Sequence, residues 1–261
     1  MDTSPPPRPA ATVLALRDGA HGVEVLMLRR NLNSDFVGGA YVFPGGGVDE
    51  GDAALAARCV GPDDAAASAR LGLDSGGLAY HVAALRELFE EAGLMVACDA
   101  GGAPVALDAE ATRRRDRLRR KRNEGALSFA DVLAAEGLWL DLRGMVYLAH
   151  WVTPVGPPRR YDTRFFVVRA PEDQVAGHDA GETVADRWVT PAEALAAHER
   201  GELEMIFPTI RTLMSIAPFE SVDAVLGFAS AQETVTRVQP RIVTRDGQVA
   251  ILLPGDPGYD D

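Results

Sequence analysis

Two short segments, FPGGGVDEGD at residues 43–52 and RELFEEAGL at residues 86–94, decide the fold of this chain. The first is a glycine-rich loop, and the second is a dense cluster of charged side chains. An alanine-rich passage, residues 53–85, separates them. The first question is whether these two segments build one site or belong to unrelated parts of the molecule.

The second segment lies at the end of a predicted helix, about residues 78–92, which Gly93 closes as a C-cap residue. Glu87, Glu90 and Glu91 have the spacing i, i+3 and i+4, so they share one face of this helix. Carboxylates on one face repel each other, and a hard divalent cation bound by oxygen atoms would neutralise them. The opposite face carries apolar residues that can anchor the helix on a core: Leu85, Leu88, Phe89 and Ala92. The alternative is a solvated acidic helix surface.

The glycine-rich loop also has two interpretations. Its three consecutive glycines let the backbone approach an ion or a phosphate closely, with a carbonyl oxygen available as a ligand. Alternatively, they form a flexible turn without a function. Taken alone, the loop does not separate these alternatives, and only its relation to the acidic helix does.

The composition sets limits on the class of protein. The chain has 261 residues, 47% hydrophobic and 25% charged, which is the profile of a soluble globular domain with additions. Its formal net charge of −12 argues against a general nucleic-acid binder. No apolar run is long enough for a membrane span, and the N-terminus has no signal-peptide core. Two cysteines, Cys59 and Cys98, are too few for a disulfide framework, so we expect a cytoplasmic protein.

The rest of the chain mixes strand and helix patterns. Strands are predicted around the turn in TVLALRDGAHGVEVLMLRR, in LMVAC, in GMVYLAHWVTP and in RYDTRFFVVRA. Helices are predicted from Ser128 to Glu136, after Thr190 and Pro191, and in IFPTIRTLMSIAPF and SVDAVLGFASAQ. A hairpin is predicted around Asp246-Gly247. This order favours an α/β protein of the α+β type rather than regular βαβ alternation.

The charged segment RELFEEAGL resembles the second half of the motif of the Nudix hydrolases at every specified position. That motif is glycine, five residues, glutamate, seven residues, then Arg-Glu-apolar-any-Glu-Glu-any-Gly-apolar. The first half is similar through Gly46, five residues and Asp52, where aspartate replaces the usual glutamate. Residues 53–85 number 33 where the motif has seven, which leaves 26 extra residues.

An insertion inside the motif is typical of the Nudix subgroup that includes the peroxisomal coenzyme A diphosphatases. EVLMLRR, AYVFPGG, HWVTPVGPPRRYDTRFFVV and FPTIRTLMSIAPFESVDAVLGFA are also similar to that subgroup. The chain ends with Tyr259-Asp260-Asp261, without the targeting tripeptide of the peroxisomal enzymes.

The resemblance implies a Nudix fold, a mixed β-sheet sandwiched by helices. The domain is expected at residues 12–219, with an insertion at about 53–77 and a helical insertion at about 107–137. Residues 1–11 are expected to be a disordered lead and residues 220–261 a C-terminal extension packed on the domain. Residues 53–77 should leave and return with their ends close together, because lengthening such a loop costs little entropy, and Ala53 to Arg58 is expected to form a short helix.

By motif position, the resemblance implies a Mg²⁺ or Mn²⁺ site formed by Glu87, Glu90, Glu91 and the carbonyl of Gly46. Arg86 would orient the glutamates, and water would attack phosphorus in line. The ion would neutralise the diphosphate and help to generate hydroxide. Asp52 is a doubtful ligand, because its side chain is one methylene shorter and would act only through water.

Many Nudix enzymes take a further carboxylate from outside the motif, as a general base or as a ligand of a second ion. HDAGETVADRW offers Asp179, Glu182 and Asp186. Glu182 is the candidate catalytic residue, because it follows a glycine and precedes a predicted strand. The alternative is a solvated loop acid.

Arginines suit a diphosphate substrate because their planar fork matches phosphate oxygens. Arg30, Asp162 and Arg164 are therefore candidate substrate-binding residues, although the last two could instead form a structural salt bridge, since they share a strand face. The basic run at residues 113–122 holds eight basic residues. It could clamp the 3′-phosphate of coenzyme A, but an exposed amphipathic helix is the preferred interpretation.

The expected function is metal-dependent hydrolysis of coenzyme A or acyl-coenzyme A to 3′,5′-ADP and (acyl-)4′-phosphopantetheine. One alternative keeps the mechanism but uses ADP-ribose, NADH or a dinucleoside polyphosphate. Another is a non-catalytic Nudix-fold binding or regulatory protein, which the three helix glutamates disfavour. The partner is then a small nucleoside diphosphate derivative, with no nucleic acid and no membrane. A homodimer is also considered, because Nudix proteins are often dimers.

Overall fold

A mixed β-sheet between two layers of helices forms the body of the computed structural model, which describes residues 5–33, 37–105, 108–245 and 248–259. The strands are β1 (Arg8–Gly19), β2 (Gly22–Arg30), β3 (Tyr41–Val42), β4 (Gly45–Gly47), β5 (Cys59–Val60), β6 (Ala97–Cys98), β7 (Trp139–Asp141), β8 (Val146–Val152), β9 (Tyr161–Arg169), β10 (Thr183–Val189), β11 (Arg237–Val238), β12 (Arg241–Arg245) and β13 (Gln248–Leu252). The helices are α1 (Glu50–Ala53), α2 (Asp64–Leu71), α3 (Gly77–Ala92), α4 (Ala109–Asn123), α5 (Phe129–Glu136), α6 (Pro191–Glu199), α7 (Phe207–Ile216) and α8 (Val222–Ala231).

The main sheet has eight strands. Its order is β10-β2-β1-β9-β8-β11, with β3 paired to β2 and β4 paired to β1. β1 runs parallel to β9 and antiparallel to β2, so the sheet is mixed, as predicted. Two smaller sheets, β5-β7-β6 and β12-β13, lie apart from it.

The alternation of side chains along β1 divides the core into two halves. Ala11, Val13 and Ala15 pack on one face of the sheet, in the core that α3 and α5 cover. Leu14 and Leu16 pack on the other face, in the core that α6, α7 and α8 cover. The sheet is therefore sandwiched by helices, which confirms the predicted α+β architecture.

The insertion at residues 53–77 is folded and supports α3. Asp64, at the start of α2, accepts hydrogen bonds from the backbone N–H groups of Leu78 (2.9 Å) and Gly76 (3.0 Å). The N–H of Gly77 donates to Ser68 Oγ at 2.8 Å. The first turn of a helix leaves its N–H groups without partners, and α2 supplies them here. The insertion thus caps the helix that carries the glutamates.

The short helix expected over Ala53–Arg58 is divided differently in the structure. α1 ends at Ala53, and a single 3₁₀ turn covers Ala56–Arg58. α2 was not predicted. Its N-cap Asp63 accepts a hydrogen bond from the N–H of Ala66, a signal that the sequence does contain.

One expected boundary differs from the structure. The disordered lead at residues 1–11 does not extend through Arg8–Ala11, because this stretch pairs in parallel with β9 from Tyr161 onward, and β9 is distant in sequence. The boundary of the C-terminal extension at residues 220–261 stays a prediction, and its first helix, α8, packs on the domain by burying Val222 and Val225 in the second core.

Other predicted elements are confirmed. α5 begins after its N-cap Ser128, and α6 begins after Thr190 with Pro191 in its first turn. β12 and β13 form the predicted hairpin, while its turn, Asp246-Gly247, lies outside the described residues. LMVAC contributes only the two-residue strand β6. None of the described helices has the length and apolar character needed to span a membrane.

Candidate active site

The glycine loop and the acidic helix meet in space. Gly45–Gly47 forms β4, which pairs antiparallel with β1 so that Gly46 lies opposite Ala11. A Cβ atom on Gly46 would lie 2.3 Å from Glu87 Oε1, so only glycine allows this close approach of the carboxylate to the strand. The N–H of Gly45 donates to Glu91 Oε2 at 3.1 Å. The two segments separated by the insertion therefore form one site.

Arg86 lies at the centre of this site and is only 4% exposed. Its Nη1 donates to Glu87 Oε1 at 2.7 Å and lies 3.4 Å from Glu90 Oε2, while Nη2 donates to the carbonyl of Gly47 at 2.8 Å. Burial disfavours the charged guanidinium, but its hydrogen bonds to Asp52 and the neighbouring carboxylates hold the pKa of Arg86 above its ordinary value. This geometry agrees with an orienting role for Arg86.

The carboxylate of Asp52 forms a buried ion pair with Arg86. Its two carboxylate oxygens accept from Arg86 Nε at 2.8 Å and from Nη2 at 3.0 Å. Oδ2 also accepts from the N–H of Asp49 at 2.8 Å, which closes the capping box of α1. Asp52 is 2% exposed. These contacts give Asp52 a role in positioning Arg86, and its role as an ion ligand stays a doubtful prediction.

The arginines beside the three helix glutamates compensate only part of the cost of burying their charge. Burial raises the pKa of Glu87 to about 7, although Arg86 opposes this effect. Burial also raises the pKa of Glu91 well above its ordinary value, with the charge of Glu87 adding to the shift. Burial also raises the pKa of Glu90 above its ordinary value, although Arg86 and Arg122 oppose this effect. The site therefore penalises ionised carboxylates in the absence of a further cation.

A divalent cation would supply that compensation. In the described part of the chain, no group of three or more His, Cys, Asp or Glu side chains converges closely enough to hold an ion as it stands. Instead, Arg86 forms an ion pair with Glu87, and Arg122 forms an ion pair with Glu90. The residues nevertheless fit such an ion, because carboxylate and carbonyl oxygens are the preferred donors of hard cations, and Gly46, without a side chain, lets the Glu87 carboxylate approach the backbone of β4.

Helix α4 contributes residues that the sequence analysis did not assign to the site. Arg122 Nε lies 2.8 Å from Glu90 Oε1. Arg119 Nε and Asn123 Nδ2 both donate to the backbone carbonyl of Glu90, at 2.9 and 3.0 Å. The basic run is thus part of a helix, as expected. One face of this helix contacts Glu90 instead of facing solvent. The spacing of 119, 122 and 123 at i, i+3 and i+4 was the available signal.

Glu182 lies near Glu87 and Glu91, in a loop that is held by hydrogen bonds. Asp179 accepts hydrogen bonds from the N–H groups of Glu182 (3.2 Å) and Thr183 (2.9 Å), and Asp186 pairs with His178 at 2.7 Å. The charge of Glu182 contributes to the raised pKa values of Glu87 and Glu91. Of the three acids considered in this loop, Glu182 lines two cavities beside Glu87 and Glu90, and Asp179 lines the smaller of them.

The candidate substrate-binding residues separate into two groups. Arg30 lines the cavity beside the glutamates, and its buried Nε atom has no hydrogen-bond partner in this structure. Arg164 instead forms an ion pair with Asp162, and its guanidinium lies 4.9 Å from the ring centroid of Tyr80. Asp162 also accepts from His150 Nε2 at 2.7 Å. Because alternate residues of β9 face opposite sides of the sheet, the structure places Asp162 and Arg164 in a structural salt bridge rather than at the cavity.

Two cavities meet at the glutamates. The larger, of about 940 Å³, extends from Gly46 and Glu87 along the sheet to the C-terminal hairpin. The second, of about 720 Å³, lies towards α4. Both are lined by Glu87, Glu90, Arg122 and Glu182. A substrate with its reacting bond at the glutamates could therefore extend away from them into the larger cavity.

Comparisons with known proteins agree with this geometry. Residues 64–216, more than half of the chain, match the family model of the NUDT19 Nudix domain. The chain is 30% identical to the acyl-coenzyme A diphosphatase NUDT19 of Gallus gallus over 279 residues, which cover 91% of this chain and 73% of that protein. It is 29% identical to the Homo sapiens protein of the same name, over 98% of this chain and 75% of that one.

A solved structure shows the same fold. A NUDIX hydrolase from Alicyclobacillus acidocaldarius superimposes with a TM-score of 0.72 at 28% sequence identity, covering 90% of this chain and 98% of that one. The resemblance to the Nudix hydrolases carried by the split motif is thus confirmed. The chain belongs to the Nudix hydrolase family, in the group described by the NUDT19 Nudix domain.

Proposed function

We propose that this protein hydrolyses the diphosphate bond of coenzyme A or acyl-coenzyme A, with Mg²⁺ or Mn²⁺, to give 3′,5′-ADP and (acyl-)4′-phosphopantetheine. The observation that carries the proposal is the meeting of Gly46, Arg86, Glu87 and Glu90 in the lining of the larger cavity, with Glu91 next to them in the lining of the second cavity. The names of the relatives, acyl-coenzyme A diphosphatases, support the choice of substrate.

In the proposed reaction a water oxygen forms a bond to one phosphorus while the bond between that same phosphorus and the bridging oxygen breaks, so the bridging oxygen leaves on the other phosphate. Glu182 accepts the proton of the attacking water, and the departing phosphate carries away the bond's electron pair as a monoester. Arg30 binds a non-bridging phosphate oxygen through its donors. Arg86 holds Glu87 and Glu90 in place, and Asp52 in turn holds Arg86.

Nudix hydrolases generally use divalent metal ions, and the chemistry of this site suits one. Glu87, Glu90, Glu91 and the carbonyl oxygen of Gly46 would hold it. When bound, such an ion supplies charge neutralisation on the diphosphate and lowers the pKa of a water molecule. The preference for Mg²⁺ or Mn²⁺ over other ions is part of the proposal, since both accept carboxylate and carbonyl oxygens.

The test is a substrate panel read by product mass. Purified protein is incubated with coenzyme A, a medium-chain acyl-coenzyme A, ADP-ribose, NADH and a dinucleoside polyphosphate, with Mg²⁺ and with Mn²⁺ in turn. The highest kcat/KM is expected for the coenzyme A compounds, with release of 3′,5′-ADP. A much higher kcat/KM for ADP-ribose would overturn this choice of substrate.

The Glu90→Gln variant separates an enzyme from a non-catalytic binding protein. Its rate of metal-dependent product release should fall by about 10²-fold or more, because an ion ligand and a partner of Arg86 are lost together. If variant and wild type gave the same low background with every substrate, the non-catalytic alternative would be favoured.

We further propose that the protein is cytoplasmic and that it forms a homodimer. The low cysteine count supports a reducing compartment, and Cys59 and Cys98 are free thiols in the structure. Light scattering during gel filtration would determine the mass of the particle, and a single species at the monomer mass would exclude the dimer.

A further inference from the structure

The C-terminal hairpin forms the far end of the larger cavity. Ile242 of β12 and Ile251 of β13 are cross-strand partners, so their side chains share one face of the hairpin. Both line the cavity, together with Pro240. This end lies away from the glutamates along the chain, and nothing in the Nudix motif assigns it a role.

This hairpin face is unusually apolar for its exposure. Ile242 is 53% exposed and Ile251 is 45% exposed. Val249, which pairs with Thr244 two positions along the same face, is 73% exposed. The face is therefore an aliphatic strip that begins inside the cavity and continues past it into solvent. Leaving such side chains in water is costly, and a ligand that covered them would recover that free energy.

The same cavity contains the charged residues of the site and the apolar face of the hairpin. Glu87, Glu90 and Arg30 are among these charged residues. The lining also includes large apolar side chains, Phe43, Trp151, Phe165 and Phe207, together with the polar or charged Thr153, Arg159, Tyr161 and Thr163. A matching ligand carries its phosphates at one end and a long apolar group at the other.

Two parts of the proposed substrate could reach the hairpin, the adenine base or an acyl chain. A purine carries several hydrogen-bond donors and acceptors that aliphatic side chains cannot satisfy. An alkyl chain has none, and its variable length suits a strip that is open at its far end. The aliphatic, non-aromatic character of Ile242, Val249 and Ile251 therefore favours the acyl chain.

We propose that Ile242 and Ile251 bind the acyl chain of the substrate and determine the preference for acylated over free coenzyme A. This inference rests on the proposed function and deepens it. The pair contacts a part of the substrate remote from the reacting phosphorus, so it sets specificity and takes no part in the chemistry.

The test compares two substrates in one variant. Ile242→Thr/Ile251→Thr keeps the β-branched shape that strands favour while it makes the strip polar. We expect kcat/KM for dodecanoyl-coenzyme A to fall by about tenfold, since even single methylene contacts discriminate at this scale, while the value for free coenzyme A stays within about twofold. Val175→Thr is the matched control, because Val175 is 92% exposed outside the cavity lining, and it should change neither value.

The outcomes are separable. Equal losses on both substrates would overturn the inference, because the hairpin would then contact the part that they share. An unchanged ratio with normal activity would also overturn it and leave the proposed function intact. If wild type cleaved ADP-ribose but neither coenzyme A compound, the proposed function itself would fail. Thermal melting of the variant checks the fold, and an unchanged Tm is expected because both isoleucines are half exposed.

Discussion

At the scale of single residues, the site depends on a small network of buried charges around Arg86. Arg86 connects this network, because it contacts Glu87, Glu90 and the buried Asp52 at the same time. Aspartate replaces the usual motif glutamate at position 52, and the structure shows that its short side chain is the right length to reach Arg86 while capping α1. The residue that departs from the family motif thus positions Arg86.

Glu182 is expected to act on the attacking water. Glu182→Gln should lower kcat by about 10²–10⁴-fold, because the amide cannot accept a proton, with little change in Tm since the side chain is exposed. Steady-state kinetics across pH would measure this. Asp186→Asn, which alters an ion pair with His178 on the same segment, is the control and should retain activity. Turnover of the Glu182→Gln variant within about twofold of wild type would remove the role.

Asp52 should matter for stability as well as for activity. Asp52→Asn leaves the buried guanidinium of Arg86 without its main anionic partner, so the free energy of unfolding should fall by about 3 kcal/mol. Urea denaturation measures the change. Glu202→Gln removes half of the exposed ion pair with Arg200 and should cost less than about 1 kcal/mol. Equal effects of the two substitutions would contradict the argument.

At the scale of elements, the insertion and α4 both support α3. α2 caps the N-terminus of α3 through Asp64 and Ser68, and α4 holds its C-terminal half through Glu90. The 26 extra residues therefore support the catalytic helix rather than forming a loose loop. Sequence reasoning could foresee that the insertion returns to its starting point, because the motif requires it. It did not foresee α2 on α3, because that contact depends on two helices approaching closely.

Gly77 tests this close approach. A Cβ atom there would lie 2.4 Å from the backbone nitrogen of Ser68, so Gly77→Ala must push α2 away from α3. The free energy of unfolding should fall by about 1–3 kcal/mol, although alanine is the better helix former. Gly51→Ala, in α1 with nothing within 4 Å of its added methyl, is the matched control and should be neutral or stabilising. Chemical denaturation of both variants decides the matter, and a stabilising Gly77→Ala would refute the packing.

At the scale of the whole molecule, one sheet and two helical layers place buried negative charge beside a large cavity. The charge is tolerated because α3 is anchored on the first core through Leu85, Leu88 and Phe89, all nearly fully buried. The stable fold thus holds these carboxylates in a buried environment where their pKa values are higher than in water. Such an arrangement couples the stability of the whole protein to pH and to divalent ions.

Divalent ions should therefore stabilise the protein more at high pH than at low pH. Burial raises the pKa of Glu87 to about 7 from its ordinary 4.5, so without a cation its contribution to stability is lost as the pH rises through about 7. Above that pH the ionised carboxylates bind the ion, and free ion at about a hundred times its Kd adds about 2.7 kcal/mol. Melting curves with Mg²⁺ or EDTA at pH 8 and pH 5 measure this.

The ionic-strength control for that experiment is NaCl matched to MgCl₂, which should not reproduce the shift in Tm. Glu90→Gln should reduce the Mg²⁺-dependent shift at pH 8, since one carboxylate donor is lost. A shift of the same size at both pH values would show that the raised pKa of Glu87 is not what links metal binding to stability.

The sequence by itself determined the family, the fold class, most strands and helices, and the residues of α3 that meet Gly46. It could do so because local periodicity, capping residues and motif spacing are written along the chain. Only the tertiary structure decided that Asp52 serves Arg86, that Asp162 and Arg164 face away from the cavity, and that Arg122 and the C-terminal hairpin reach it. These assignments depend on which distant segments pack together and on which strand face each side chain occupies, and neither is encoded in local spacing.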